Sequence, residues 1–245
     1  MEVSARTFVE LGYRVLRLNL RGAGPSRASC RFQYHAGRTV DLRAALHALQ
    51  RDHSELSRAG FLLTGFSLGG NMLLKFLAEY PDEFCIHKAV TVSAPLDLSA
   101  TAQRILKPRN ALYQRHLLSK MRKECFGKGA EISLRERERV LGARSIYEYD
   151  EVFIAPRNGY RGAEHYYAEN SAKSFLAEVR CPTLLIQALD DPWVPEQAYR
   201  EASLQRHEFV YPLLSRGGGH LGFHGKRSEI PWHNLCMKQF FEQDI

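Results

Sequence analysis

The sequence predicts an α/β fold, a mostly parallel sheet flanked by helices, and three observations predict it. Short apolar runs alternate with helical stretches along most of the 245 residues. These runs are apolar at consecutive positions, as strands covered on both faces are. One of them, FLLTGF (61–66), passes directly into a glycine-rich turn and a helix. The length is enough for one domain with a sizeable core. Hydrophobic residues at 44% and charged residues at 25% are ordinary for a globular chain.

The elements follow in order. MEVSARTFVELGY reads as soluble helix, not as a signal peptide. Residues 14–20 (RVLRLNL) read as a strand, closed by Arg21-Gly22-Ala23-Gly24-Pro25. From about 38 to 51, Val40, Leu42, Ala45, Leu46 and Leu49 recur at helical spacing. FLLTGF is a buried strand, and MLLKFLAEY continues as a helix until Pro81. KAVTVSA (88–94), LLIQAL (184–189) and HEFVYPLL (207–214) are the remaining strands. PWHNLCMKQFFEQ closes the chain as a helix, with Pro231 suited to its first turn.

Between residues 97 and 175 the alternation breaks. This stretch is long, basic and aromatic (Tyr113, Phe126, Tyr147, Tyr149, Phe153, Tyr160, Tyr166, Tyr167). A long excursion from a strand end, over the face where such sheets bind ligands, reads as a lid or substrate cap. The expectation is one domain over 1–245 with a cap at about 97–175. The cap's aromatics are expected to line an acyl pocket, and its basic residues to favour anionic head groups or a peripheral membrane surface.

Net charge is +7, with the excess concentrated between Arg104 and Arg144. No stacking motif or reading helix accompanies it, so nucleic acid is not the expected partner. LRERERVLGAR interleaves Glu with its Arg and reads as a solvated helix face. Five cysteines, without CxxC or metal-knuckle spacing, suggest a reducing, cytoplasmic setting and neither metal nor other cofactor. No apolar run approaches the length of a membrane span.

The chemistry gathers at Gly65-Phe66-Ser67-Leu68-Gly69-Gly70. A strand that becomes a helix within a few residues forces its middle residue into a strained conformation. Glycines two before and two after Ser67 leave room for that turn. The hydroxyl then stands above the sheet at a helix N-terminus. G-x-S-x-G alone is weak, arising by chance in about one chain in ten of this size; its place between strand and helix makes it informative. A serine needs a base, and the base an orienting acid. LLIQALDDPWVP sets two aspartates at the C-terminal end of a strand, where only one can serve. Asp191 is the choice, in an Asp-x-x-Val-Pro exit from its strand; Asp190 is the runner-up and Asp97 a distant third. For the base, His220 lies in Arg216-Gly217-Gly218-Gly219-His220, between the last strand and the last helix, with His224 its nearest rival. The Leu68 N–H is one donor for an oxyanion.

RGAGPS, YHAGRTVDL, GFSLGGNMLLKFLAEY, VSAPLDL, EHYYAENS, CPTLLIQALDDPWVP and SRGGGHLGF together resemble the YheT-like branch of the α/β-hydrolase superfamily. The resemblance runs over nearly the whole chain. It implies an α/β-hydrolase fold and a serine hydrolase acting on carboxylic esters of acylglycerols, phospholipids or short-chain alcohols. It implies Ser67 as nucleophile, Asp191 as acid and His220 as base. Two further readings remain: an acyltransferase using the same residues, or a non-catalytic binding protein. Members of the branch begin with further strands and a His-Gly oxyanion loop, which 1–245 does not contain. Residues 1–245 are therefore expected to be N-terminally truncated and not fully competent, with a gap between RVLRLNL and FLLTGF unless those two pair directly.

Overall fold

In a computed structural model, which describes residues 1–204, 207–225 and 228–243, four strands form one parallel sheet. They are β1 (Phe61–Phe66), β2 (Ile86–Val92), β3 (Thr183–Ala188) and β4 (Val210–Ser215), and spatial order follows chain order. Leu63 pairs with Ala89, Thr91 with Leu185, and Leu185 with Pro212. Parallel neighbours need crossovers, and helices supply them. The helices are α1 (Glu2–Glu10), α2 (Thr39–Asp52), α3 (Leu68–Glu79), α4 (Leu98–Ile105), α5 (Ala111–Cys125), α6 (Leu134–Gly142), α7 (Ala163–Asn170), α8 (Gln197–Leu204) and α9 (Trp232–Glu242).

Alternation along the strands sends side chains to two cores. Val90, Val92, Leu184, Ile186 and Ala188 meet Phe8 of α1 and Met237 and Phe240 of α9. Ala89 and Leu185 face the other way, onto Leu46 of α2, Leu73, Phe76 and Leu77 of α3, and Tyr199 of α8. The helices therefore cover both sheet faces, as the uninterrupted apolar runs require.

One predicted strand does not form. Residues 14–20 are not part of any ladder; Leu16 is 63% exposed, and Val15 and Leu18 are exposed too. A strand exists through its partners, and among the described residues RVLRLNL has none. Among the described residues β1 pairs with β2 alone. RVLRLNL and FLLTGF do not pair directly.

No strand lies between Val92 and Thr183 among the described residues. The insertion is helical: α4 to α7, short turns at Ile146–Tyr149 and Ala155–Arg157, and a π-helix at Asp150–Ile154. It has its own core of Leu98, Leu118, Val140, Tyr149, Phe153 and Tyr167, among others. Four of its eight aromatics, Tyr149, Phe153, Tyr166 and Tyr167, are buried inside the insertion and pack its core, so those four do not line an open pocket. Short helices bury little area each, so large rings are what makes such a layer cohere.

Candidate active site

Ser67 joins β1 to α3 with φ 48° and ψ −125°, a conformation few side-chain-bearing residues adopt. The strand must hand over to the helix in one residue. Ser67 N–H donates to the Val92 carbonyl at 2.9 Å, which keeps β1 and β2 in register to the last residue. Leu68 is the first residue of α3, so its N–H has no intrahelical acceptor and lies beside the hydroxyl.

The glycine requirement falls differently from the motif. A Cβ at Gly65 would lie 2.6 Å from the Gly69 carbonyl oxygen, and one at Gly70 would lie 2.7 Å from Ala94 Cβ. A Cβ at Gly69 would meet nothing within 4 Å. The residue three after Ser67, not two after, lets α3 close onto the end of β2.

His220 reaches Ser67 from the loop after β4. Its Nε2 lies 2.9 Å from Ser67 Oγ, and its Nδ1 2.9 Å from Asp191 Oδ2. A carboxylate only accepts, so Nδ1 carries the proton and donates to Asp191. Nε2 is then left with its lone pair toward the Ser67 hydroxyl, which donates to it. Asp191 is fully buried, and its second oxygen, Oδ1, accepts from the N–H groups of Trp193 and Val194 at 2.8 and 3.0 Å. The turn after β3 thus fixes the carboxylate through its own backbone.

The rival residues are elsewhere. Asp190 Oδ1 accepts from Gly219 N–H at 2.8 Å, so it braces the loop that carries His220 without touching the imidazole. Asp97 caps α4 through Ala100 N–H and pairs with Lys173. His224 is exposed. Two other histidines serve packing: burial lowers His35 and His233 to a pKa of about 4 and keeps them neutral.

Several residues with no sequence signal hold this arrangement. Trp193 packs against His220 at a tilt, ring centroids 4.2 Å apart and planes 43° apart, and Tyr113 of α5 meets Trp193 edge-on at 3.9 Å. Arg104 Nη2 donates to the Asp191 carbonyl at 3.0 Å, and Asn110 Nδ2 to the Pro192 carbonyl at 2.9 Å. Buried Asn71, on α3, donates to the Asn170 carbonyl at 2.8 Å and accepts from Ala172 N–H at 2.9 Å. The insertion is therefore tied to both the serine helix and the aspartate turn. The motifs YHAGRTVDL and EHYYAENS also meet, for Ala36 N–H donates to the Tyr166 hydroxyl at 2.8 Å. RGAGPS joins them through Arg21 Nε, which donates to Asp41 Oδ2 at 2.8 Å.

The chain is similar to known proteins. The alpha/beta hydrolase fold family matches residues 2–226. YheT of Escherichia coli (strain K12) is 35% identical over 198 residues, covering 78% of this chain and 56% of YheT. Phospholipase ABHD3 of Mus musculus is 32% identical over 241 residues, covering 96% of this chain and 57% of that protein. The chain spans little more than half the length of these curated relatives. Among solved structures, an esterase of Pyrococcus furiosus is similar in fold, with a TM-score of 0.62 at 16% identity over 99% of this chain and 75% of that one.

Proposed function

This chain belongs to the α/β-hydrolase fold family, in its YheT-like branch, and from that premise we propose that it is a serine hydrolase of carboxylic esters, with lipid esters as substrates. The observation that carries the reading is the unbroken chain from Ser67 Oγ through His220 to Asp191, both contacts at 2.9 Å. His220 Nε2 takes the proton as Ser67 Oγ attacks the ester carbonyl. The tetrahedral oxyanion takes a hydrogen bond from Leu68 N–H at the N-terminus of α3. The His220 imidazolium then delivers its proton to the leaving alcohol, and an acyl-serine remains. Water, deprotonated by the same nitrogen, releases the acid and restores Ser67. Asp191 fixes the tautomer and stabilises the imidazolium without taking its proton.

The insertion over about 97–175 acts as the cap in this reading, since its Arg104 and Asn110 side chains grip the aspartate turn and its backbone near Asn170 is held by Asn71 of the serine helix. The relation to a phospholipase supports lipid esters over short soluble ones. Fluorophosphonate labelling tests the nucleophile. The chain should label, and Ser67→Ala should not, while keeping its fold by circular dichroism. Labelling that persists in Ser67→Ala would move the nucleophile elsewhere.

A further inference from the structure

Between Asp97 and Glu124 the chain contains no acidic residue. That stretch carries Arg104, Lys107, Arg109, Arg115, Lys120, Arg122 and Lys123. These cations account for the whole formal charge of +7, and the rest of the chain is balanced. Two of them are occupied internally. Arg104 holds the Asp191 carbonyl, and Arg122 donates to the carbonyls of Val140, Leu141 and Ala143. Lys107, Arg109, Arg115, Lys120 and Lys123 are exposed and make no ion pair among the described residues.

The free cations share their surface with apolar side chains. Leu112 is 83% exposed, Tyr113 49% and Leu106 39%. On α5, Leu112, Arg115, His116, Ser119, Lys120 and Lys123 recur at three- and four-residue steps, so they occupy one face. The opposite face is anchored, with Leu118 and Cys125 buried in the insertion's core. Leu112 therefore stands almost wholly in water. A strongly cationic face that also presents leucine and tyrosine matches the chemistry of an anionic bilayer surface, with charge for the head groups and apolar groups for the acyl boundary. Nucleic acid fits less well. It gains nothing from exposed leucines, and one half-exposed tyrosine is not a stacking platform.

We propose that the face formed by residues 106–123 docks the protein onto anionic lipid surfaces. The proposal rests on the lipid-ester reading only for its purpose; the docking itself stands on charge and exposure. Its position suits that purpose, because Tyr113 touches Trp193 and Trp193 packs against His220. A bilayer seated on this face lies beside the serine, and its lipids have a short path to it.

Each cation near an anionic membrane contributes roughly fivefold in partitioning, so five give on the order of 10³ at low salt. The test is co-sedimentation of the Ser67→Ala chain, incapable of turnover under the reading above, with phosphatidylcholine vesicles with and without phosphatidylserine. Binding should require phosphatidylserine and weaken with salt. Arg115→Glu/Lys120→Glu/Lys123→Glu and, separately, Lys107→Glu/Arg109→Glu should each lower it at least tenfold. Leu112→Ser should weaken what salt leaves behind. Thermal melts of each variant identify any that fail to fold. Equal binding to neutral vesicles, unchanged binding of both charge-reversed variants, or retention of single-stranded RNA in place of vesicles would overturn the proposal. Turnover of a soluble ester by the active chain separates the two readings. Vesicle binding without turnover defeats the hydrolase and keeps the docking surface; turnover without vesicle binding does the reverse.

Discussion

The guanidinium of Arg104, on α4 of the insertion, donates through Nη2 to the main-chain carbonyl of Asp191 at 3.0 Å, 87 residues further along the chain. Asn110 closes the same grip on the next carbonyl, that of Pro192. The carboxylate that orients His220 therefore sits on a turn held from outside the sheet.

Arg104 is accordingly a positioning residue. Arg104→Ala should lower kcat by roughly 10- to 100-fold, the scale on which small misplacements of reacting groups act, with KM little changed. Arg104→Lys, which keeps one donor, should recover part of the loss. An Arg104→Ala enzyme with unaltered kcat and a raised KM would assign this residue to substrate binding.

The two adjacent aspartates should separate cleanly. Asp191→Asn loses the acceptor that fixes the His220 tautomer, a change worth about 10⁴ in kcat in a known Ser-His-Asp site. Asp190→Asn retains an oxygen for Gly219 N–H and should cost far less. Steady-state rates on one soluble ester decide it; the opposite ranking would reassign the acid.

Gly69 and Gly70 should also part company. Gly70→Ala drives a methyl to 2.7 Å from Ala94 Cβ and 3.2 Å from Thr91 Cβ, so it should lower both the melting temperature and the rate. Gly69→Ala enters open space and should leave stability almost unchanged. Equal melting temperatures for the two variants would show that α3 can shift to make room.

A pH dependence follows from Asp150, buried in the insertion beneath Tyr167, whose hydroxyl donates to Asp150 Oδ2 at 2.7 Å. Burial raises its carboxyl from 3.8 to about 7, against the opposing effect of that hydrogen bond. A carboxyl raised on folding favours the folded state fully below its unfolded pKa. That contribution is lost as pH rises toward the folded value, here between about 4 and 7. Asp150→Asn, which still accepts from Tyr167, should be more stable than the parent at pH 8 by a few kcal/mol at most. The gain should shrink toward zero near pH 4. His35 and His233 act in the opposite sense, since their lowered values remove stability as pH falls from 6.5 toward 4. Denaturant melts of parent and variant across this range are the measurement; a pH-independent difference would mean that Asp150 titrates alike in the folded and unfolded protein.

The sheet and the meeting of Ser67, Asp191 and His220 were legible because local pattern carried them. FLLTGF announces both its burial and its exit, and the resemblance to hydrolases at the Asp-x-x-Val-Pro exit points to Asp191 over Asp190. RVLRLNL misled because strand character depends on a neighbour as well as on side chains; its residues suit a ladder that the described structure does not supply. Gly70 was hidden because its need for a bare Cα comes from Ala94 and Thr91, on the next strand and its exit. Arg104, Asn110 and Asn71 were hidden for the same reason at longer range. A basic residue in a basic helix carries no mark of the carbonyl it will reach. The aromatic insertion misled on composition, since rings that suit an acyl pocket suit a core equally well.

The backbone at Ser67 has a last consequence. At φ 48° a side chain costs roughly 1–3 kcal/mol relative to a residue at ease there, and glycine is such a residue. Ser67→Gly should therefore melt later than the parent while having no hydroxyl to acylate. Selection for heat resistance alone would drive this position toward glycine and leave a sturdier, inert copy of the same fold. The serine persists in such a lineage only while turnover is itself under selection. A descendant released from that demand is one substitution from becoming a stable scaffold that retains the docking face and no longer cuts.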